Sequence, residues 1–170
     1  MVDPDWLIPL KAGDPTSLRR CEILGRLGVG GMGVAFFARS VGKAAVVMMI
    51  QLDFADDPDA GRRVRREVPA ASAVETPFVP EVLASDVSAV RQWVAMEYIE
   101  GATLEQLIRT CGSLDRHQQR ALGAALAAGW TDLRRHGPIH RDLKPSNVIS
   151  TSAGPRLIDF GVAFFGSLRT

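Results

Sequence analysis

A cluster of glycines, GVGGMG at residues 28–33, separates two segments that have strand character. Residues 21–27 precede it and residues 34–39 follow it, and both are rich in the apolar, β-branched and aromatic residues that strands favour. A Rossmann fingerprint requires a helix directly after its glycines, and a Walker A loop requires Gly-Lys-Ser/Thr, which is absent here. The cluster therefore predicts the tip of a β-hairpin and excludes these two folds.

The hairpin continues into a longer antiparallel sheet. After the turn at residues 40–43, the apolar run AAVVMMIQL predicts a third strand over residues 44–52, and further strands are predicted at 79–85 and 92–98. Between them, DDPDAGRRVRREV predicts a helix, with Asp56 or Asp57 as its cap and Pro58 in its first turn. Pro69 would cost roughly 3 kcal/mol inside a helix, so we expect the helix to bend or stop near Glu67.

The second half of the chain is predicted to be mainly helical. Leu122, Leu126, Trp130 and Leu133 recur at helical spacing, and the Gly-Pro pair at 137–138 ends that pattern. Residues 147–150 and 155–158 then predict a small hairpin. The fold class is α+β in two lobes, joined near residues 97–101. Because residues 1–20 hold three prolines, they are predicted to be an extension with little fixed structure.

The composition narrows the classes of partner. The formal charge of +1 gives no electrostatic reason to expect nucleic acid. No run of 18 apolar residues is present, so we expect no membrane segment, and the N-terminus does not resemble a signal peptide. Cys21 and Cys111 match no metal-ligand spacing, which indicates reduced thiols and a cytoplasmic chain.

Two motifs in the second half carry chemical information. One is HRDLKPSN at residues 140–147, and the other is DFG at 159–161. A lone DFG is an ordinary turn, and a lone HRD is an ordinary charged loop. The eight-residue string is too long for chance, however, and DFG follows it across the predicted hairpin.

Together with the glycine cluster, these motifs resemble the eukaryotic-type (Hanks-type) protein kinase family, in its bacterial serine/threonine branch. The resemblance covers about residues 21–165, in the family's order, through GRLGVGGMGVAFFARS, RRVRREV, AMEYIEGATL, HRDLKPSNV and IDFGVA. It implies a bilobal kinase fold with an extension at 1–20, an N-lobe at 21–98 and a partial C-lobe at 99–170. The Lys-Pro pair after Asp142 matches the serine/threonine form of the catalytic loop.

The resemblance also implies an activity and a set of site residues. The activity is transfer of the γ-phosphate of ATP to Ser or Thr hydroxyls of a protein substrate, with Mg²⁺ as the metal and Mn²⁺ as a substitute. Asp142, Lys144 and Asn147 would be catalytic, and Asn147 and Asp159 would hold the metal. The nucleotide would contact the flap, the sheet, the helix and the hinge: Leu27, Gly28, Val29, Gly30, Gly31, Met32, Gly33, Ala35, Val46, Met48, Glu67, Glu97 and Ile99.

One of these positions departs from the family. The third strand of a kinase carries a lysine that pairs with the α- and β-phosphates, and here Met48 occupies that position. The chain has three lysines, Lys11, Lys43 and Lys144, and Lys43 lies about 16 Å along the strand at ~3.3 Å per residue. Glu67 thereby loses its expected partner. By analogy with removal of one preorganised donor, the rate should fall ~10²–10³-fold.

Two further departures affect the expected function. The family has the larger residue, Val, at the position of Ala35 and the smaller one, Ala, at the position of Val46. This chain reverses the two, which roughly conserves the volume around adenine. The printed chain ends soon after Gly161, before an activation segment, and we expect this to impair activity as well. The sequence therefore predicts an impaired serine/threonine kinase domain. The alternatives are a pseudokinase that binds nucleotide or protein, and a truncated product without function.

Overall fold

Two antiparallel sheets organise the part of the chain that the computed structural model describes, residues 7–30, 33–50, 60–135 and 143–158. The first sheet has six strands in the order β1-β2-β3-β4-β6-β5, and the second has three in the order β7-β8-β9. Their bounds are β1 Ser17–Leu18, β2 Cys21–Gly30, β3 Gly33–Ser40, β4 Lys43–Ile50, β5 Val82–Asp86, β6 Trp93–Glu97, β7 Ala102–Thr103, β8 Val148–Thr151 and β9 Gly154–Leu157. The helices are α1 Ala60–Ser72, α2 Leu104–Cys111 and α3 Arg116–Arg135, and Pro145–Asn147 form a 3₁₀ turn.

The glycine cluster lies at the tip of the β2–β3 hairpin, as predicted. Gly30 pairs with Gly33, and the register continues through Val29 opposite Val34. Register shifts interrupt the pairing between Ile23 and Gly25 and between Arg26 and Gly28. The prediction of three consecutive antiparallel strands is therefore confirmed, and the glycine-rich end of the hairpin follows an irregular stretch of β2.

The first sheet has two differently covered faces. Its outer face carries a buried cluster that includes Phe36, Val47 and Trp93, and Leu10 and Leu18 pack against this cluster. On its inner face, α1 is packed onto the strands through a cluster of Ile50, Val64, Val68, Val94 and Met96, with Met48 partly buried beside it. Alternation along β4 thus sends Val47 and Met49 outward, and Met48 and Ile50 towards α1.

Helix α1 continues through Pro69, so it does not stop near Glu67; the alternative of a bend there stays a prediction. Val64 and Val68 are 0% and 4% exposed, and burying each side chain contributes about 1.5–3 kcal/mol. The two together match or exceed the ~3 kcal/mol penalty of an internal proline. Pro69 is exposed, which lets water reach the carbonyl that loses its helical partner. The predicted caps at residues 56–58 lie outside the described residues.

The remaining predicted elements are present with shifted ends. The predicted strands at 79–85 and 92–98 correspond to β5 and β6, and the predicted small hairpin corresponds to β8 and β9. In α3, Leu133 is buried, and Leu122 and Leu126 pack against the same cluster, which contains Val148 and Leu157. The predicted end of this helix at 137–138 lies outside the described residues. No helix in the described ranges is long and apolar enough to cross a membrane.

Residues 7–18 are held against the first sheet, so the prediction of little fixed structure was wrong for this part of the extension. Ile8 and Arg26 exchange backbone hydrogen bonds of 3.1 and 2.8 Å, and β1 pairs with β2. Arg26 also donates from Nε and Nη2 to the two carboxylate oxygens of Asp14, both at 2.6 Å. A Cβ at Gly25 would lie 3.1 Å from the carbonyl oxygen of Ile8, so the close approach depends on this glycine.

The segment that follows α1 is fastened to the helical half of the molecule. The hydroxyl of Thr76 donates to the carboxylate of Asp132 on α3, and the amide of Leu157 donates to the carbonyl oxygen of Phe78 at 2.7 Å. Phe78 also lies so close to Gly129 that a Cβ there would be 2.7 Å from its ring. This segment is therefore a fixed connection between the two lobes.

The Asp14–Arg26 pair yields a prediction about acid stability. The side-chain hydrogen bond from Arg26 lowers the pKa of Asp14 from 3.8 to about 2. A carboxyl whose pKa is depressed by folding stabilises the fold above its unfolded pKa, and this contribution disappears as the pH falls through the folded value. At pH 7, Asp14→Asn should therefore lower the free energy of unfolding by about 1.5–3 kcal/mol, the range for a hydrogen bond to a charged group.

Urea denaturation of both proteins between pH 7 and pH 2 measures this difference. It should shrink below about pH 4 and vanish near pH 2. Glu22→Gln is the matched control, since Glu22 forms an exposed ion pair with Arg39 (3.1 Å) and should contribute little at any pH. A difference for Asp14→Asn that stays constant down to pH 2 would contradict the assignment.

Candidate active site

Four residues form a row across the inner face of the first sheet. Gly28 pairs with Ala35, Ala35 with Met48, and Met48 with Val94. Residues directly opposite one another in antiparallel strands present their side chains to the same face. The glycine-rich part of β2 is thereby placed in line with Met48, two strands away. Val46, which pairs with Phe37 and Met96, continues this face towards the end of β6.

Met48 lies in an apolar setting. It is half-buried beside Ile50, Val64, Val68, Val94 and Met96, the cluster that joins α1 to the sheet. Lys43 is exposed at the opposite end of β4, where it pairs with Ser40. The other two lysines of the sequence lie on the N-terminal segment and after α3. The inner face of β4 therefore presents an uncharged side chain at position 48.

Glu67 lies on α1 between Val64 and Val68, and its side chain is outside the described part of the chain. Gly31, Met32, Asp142 and Asp159 also lie outside it. Leu27, Val29, Gly30 and Gly33 are described and lie on the two strands of the flap. Val29 is 66% exposed, so the flap presents an apolar side chain to solvent.

The segment after β6 connects the two lobes and contains Glu97 and Ile99. The amide of Glu97 donates to the carbonyl oxygen of Glu81 at 2.9 Å, and the amide of Tyr98 donates to that of Ala44 at 3.2 Å. Within the described ranges, no backbone hydrogen bond uses the amide of Ile99. Ile99 is buried, and Met96 behind it is 6% exposed. The connection thus offers one backbone donor to a ligand at an apolar site.

Two features fix the position of this connection. Tyr98 packs edge-on against Phe37, with ring centroids 5.0 Å apart and an interplanar angle of 81°. Gly101 has φ of 153°, and a Cβ there would lie 2.5 Å from the carbonyl oxygen of Ser150. Since a side chain would collide with β8 and strain the backbone, glycine is required where the chain passes from the connection into β7.

Arg156, on β9, braces the connection and was not among the predicted site residues. Its Nη2 donates to Oε2 of Glu97 and to the carbonyl oxygen of Val79, both at 2.8 Å. Arg156 thereby connects the β8–β9 hairpin to Glu97, at the end of β6, and to Val79, in the segment after α1. No sequence motif contains Arg156, and the only available signal was a lone arginine in a short hairpin.

The catalytic loop is described at its C-terminal end. Lys144 is exposed and precedes the 3₁₀ turn Pro145–Asn147, and Asn147 is 3% exposed. The amide of Asn147 donates to the carbonyl oxygen of Lys144, and the carbonyl oxygen of Asn147 accepts from the amide of Ile158, both at 2.9 Å. The backbone of Asn147, one predicted metal ligand, is therefore hydrogen-bonded to Ile158. Ile158 directly precedes Asp159, the other predicted ligand.

This arrangement fits some of the chemistry that the sequence implies. The Ile99 amide, on the connection that follows Met96, suits a flat apolar ring that carries a hydrogen-bond acceptor. Asn147 has a side-chain oxygen of the type that Mg²⁺ takes, and its backbone bonds to Ile158, which precedes Asp159 in the sequence. Met48 does not fit a phosphate, because a thioether offers neither charge nor a hydrogen-bond donor.

Comparisons with known proteins agree with this geometry. The family model described as "Protein kinase domain" matches residues 21–168. The serine/threonine-protein kinase AfsK of Streptomyces griseus is 38% identical over 151 residues, which is 88% of this chain and 19% of AfsK. The probable serine/threonine-protein kinase PkwA of Thermomonospora curvata is 40% identical over 156 residues, or 91% of this chain and 21% of PkwA.

Among solved structures, the kinase domain of PknI from M. tuberculosis superimposes with a TM-score of 0.71 at 27% sequence identity. The match covers 84% of this chain and 59% of the PknI chain. The two structures therefore share one overall fold. This chain spans about a fifth of the length of AfsK and PkwA. The chain belongs to the protein kinase family, in its bacterial serine/threonine branch.

Proposed function

We propose that this chain is part of a serine/threonine protein kinase domain that binds ATP through its adenine ring but anchors the phosphates poorly. The observation that carries the proposal is the position of Met48. It lies opposite Ala35 of the flap strand, on the face that α1 covers, where the family places its phosphate-binding lysine. Transfer of the γ-phosphate to protein Ser or Thr hydroxyls is then impaired.

Adenine binding is supported by the connection after β6. The Ile99 amide supplies a donor, and Ala35 and Val46 lie on the face of the sheet that would cover the ring. Ala35 is the smaller residue and Val46 the larger, so the space between flap and sheet is roughly conserved. The brace from Arg156 to Glu97 keeps this edge of the site in place before any ligand arrives.

Impaired transfer follows from electrostatics. Phosphoryl transfer depends on positioning and on neutralising the charge of the triphosphate, and preorganised donors supply most of that effect. Loss of one such donor costs ~10²–10³-fold in rate. Met48 instead contributes to the apolar packing between β4 and α1. That packing stabilises the fold, and a lysine there would require the carboxylate of Glu67 as its partner.

The catalytic-loop residues take the roles that the family gives them. Asp142 would accept or orient the proton of the substrate hydroxyl, and Lys144 would lie near the transferred phosphate. Asn147 and Asp159 would hold Mg²⁺, or Mn²⁺ in its place, which when bound neutralises phosphate charge. The hydrogen bond from Ile158 to Asn147 supports this pairing, because it holds the two ligand positions together.

The partners and the compartment are part of the proposal. AfsK and PkwA are named as serine/threonine-protein kinases, so we infer a protein substrate with a Ser or Thr acceptor. Cys21 and Cys111 are free thiols, Cys21 buried and Cys111 exposed. Free thiols and the use of ATP favour the cytoplasm as the site of action.

A second candidate function is a pseudokinase, a module that binds nucleotide or another protein without transferring phosphate. The packing of Met48 into the cluster around Val64 and Val68 favours it, because this contact stabilises the lobe without serving catalysis. The two candidates share adenine binding and differ in phosphotransfer, so they are separated by two measurements.

The first measurement is the thermal stability of the chain with Mg-ATP. Ligand at about ten times its dissociation constant stabilises the folded state by ~1.4 kcal/mol, which raises the Tm of a domain of this size by about 3–6 °C. Val46→Phe should abolish this shift by filling the adenine space. Val90→Phe, at a fully exposed position, is the matched control and should leave it unchanged. A flat titration of the unaltered chain would exclude adenine binding.

The second measurement is autophosphorylation with labelled ATP in Met48→Lys. Restoring the cation should raise labelling about 10²-fold over the unaltered chain, if the family chemistry is otherwise present. Met48→Leu, which keeps the apolar packing, should change nothing. Asp142→Asn gives the background. Labelling of Met48→Lys at that background would show that Met48 is not the main cause of the impairment, and strong labelling of the unaltered chain would refute the impairment.

A further inference from the structure

A cavity of about 310 Å³ lies on the outer face of the first sheet, away from the nucleotide cleft. It is covered by the turn at residues 11–14, and its walls include Arg26, Val34, Met49 and Arg91. Val34 and Met49 are the strand neighbours of Ala35 and Met48, and strand alternation turns them to the opposite face. Val34 and Met49 thus lie on the face opposite to Ala35 and Met48, while Ile50, at the end of β4, also lines the cavity.

The roof of this cavity is rigidly built. The amide of Lys11 donates to Oδ2 of Asp14 at 2.7 Å, and the amide of Asp14 donates to the carbonyl oxygen of Lys11 at 3.0 Å. The side chains of Asp14 and Arg26 are 8% and 13% exposed and form the bidentate pair described above. The guanidinium of Arg26 lies 5.8 Å from the ring centroid of Phe36, which fixes it from below. The space is therefore formed in advance of any ligand.

The floor of the cavity is apolar. Val34 and Met49 are half-buried, and both pack on the outer-face cluster that contains Phe36 and Trp93. Met49 lies directly opposite Trp93 in the β4–β6 pair. An apolar floor beneath a fixed polar rim is the usual composition of a small-molecule site, and the volume is at the lower end of their range of about 300–1,000 Å³.

Among the described residues that line the cavity, the charged side chains of the rim carry a net positive charge. Two guanidiniums, Arg26 and Arg91, face one carboxylate, Asp14, among the residues that line the cavity. Arg26 uses Nε and Nη2 for Asp14. Arg91 is exposed, and the bond that it makes to the roof is one from Nη1 to the carbonyl oxygen of Gly13, at 3.0 Å. An arginine has five N–H donors, so Arg91 retains donors for a ligand.

The geometry points to a binding site for a compact amphipathic carboxylate, with its apolar body on Val34 and Met49 and its carboxylate on Arg91. A planar carboxylate matches the fork of a guanidinium, and one negative charge balances the net charge of the rim. A phosphate dianion would overcompensate that charge and leave the apolar floor uncovered. Because the ligand and adenine contact opposite faces of the sheet, both can be bound at once.

Isothermal titration calorimetry of the full chain with 4-phenylbutyrate tests this site. We expect saturable binding with one molecule per chain, and an affinity about tenfold to a hundredfold lower in Arg91→Gln, since a charge-assisted hydrogen bond is lost. Arg39→Gln is the matched control, because Arg39 is an exposed arginine paired with Glu22 outside the cavity, and it should bind like the unaltered chain. Both arginines are exposed, so neither change threatens the fold.

Three results would overturn the inference: no saturable binding, equal affinities of Arg91→Gln and Arg39→Gln, or displacement of 4-phenylbutyrate by Mg-ATP. Inorganic phosphate that binds as tightly as 4-phenylbutyrate would also overturn it, because the apolar floor would then contribute nothing. Binding of 4-phenylbutyrate to a chain that fails to bind Mg-ATP would leave this site intact and refute only the adenine site.

Discussion

The packing of α1 onto the inner face of β4 is the contact on which the rest of this molecule depends. Val64 and Val68 contact Ile50, Val94 and Met96, and this cluster holds the helix against the sheet despite an internal proline. The same contact surrounds Met48. Packing favours an apolar side chain at this position, whereas phosphate binding requires a cation. The two requirements therefore conflict.

Met48 satisfies the packing requirement and supplies no cation for phosphate. The remaining site is nevertheless held in place by polar contacts between the lobes. Arg156 joins Glu97 and Val79, and the amide of Leu157 bonds to Phe78, so the hairpin before Asp159 and the connection after β6 form one connected unit. Charge-assisted bonds of this kind are among the stronger polar contacts in proteins. The contacts that fix the connection after β6 thus do not involve Met48.

The sequence predicted the strands, the family and the inward face of Met48, because hydrophobic periodicity and long motifs are local signals. It failed where a distant contact outweighed a local one. Pro69 did not end α1, because burial of Val64 and Val68 offsets its cost. Residues 7–18 were expected to lack structure, yet the Asp14–Arg26 pair holds them. Arg156 was missed because neither its partners nor their positions are encoded near it in the chain.

The central claim is that adenine is bound while the phosphates gain little from the protein. Calorimetric titration of the unaltered chain with adenosine, Mg-ADP and Mg-ATP tests it most directly. We expect Mg-ATP to bind at most about tenfold more tightly than adenosine, since the triphosphate lacks the cation contact, whose loss costs about tenfold to a hundredfold, the equivalent of one charge-assisted hydrogen bond. An affinity for Mg-ATP a hundredfold or more above that for adenosine would show that other groups anchor the triphosphate, and would contradict the role assigned to Met48.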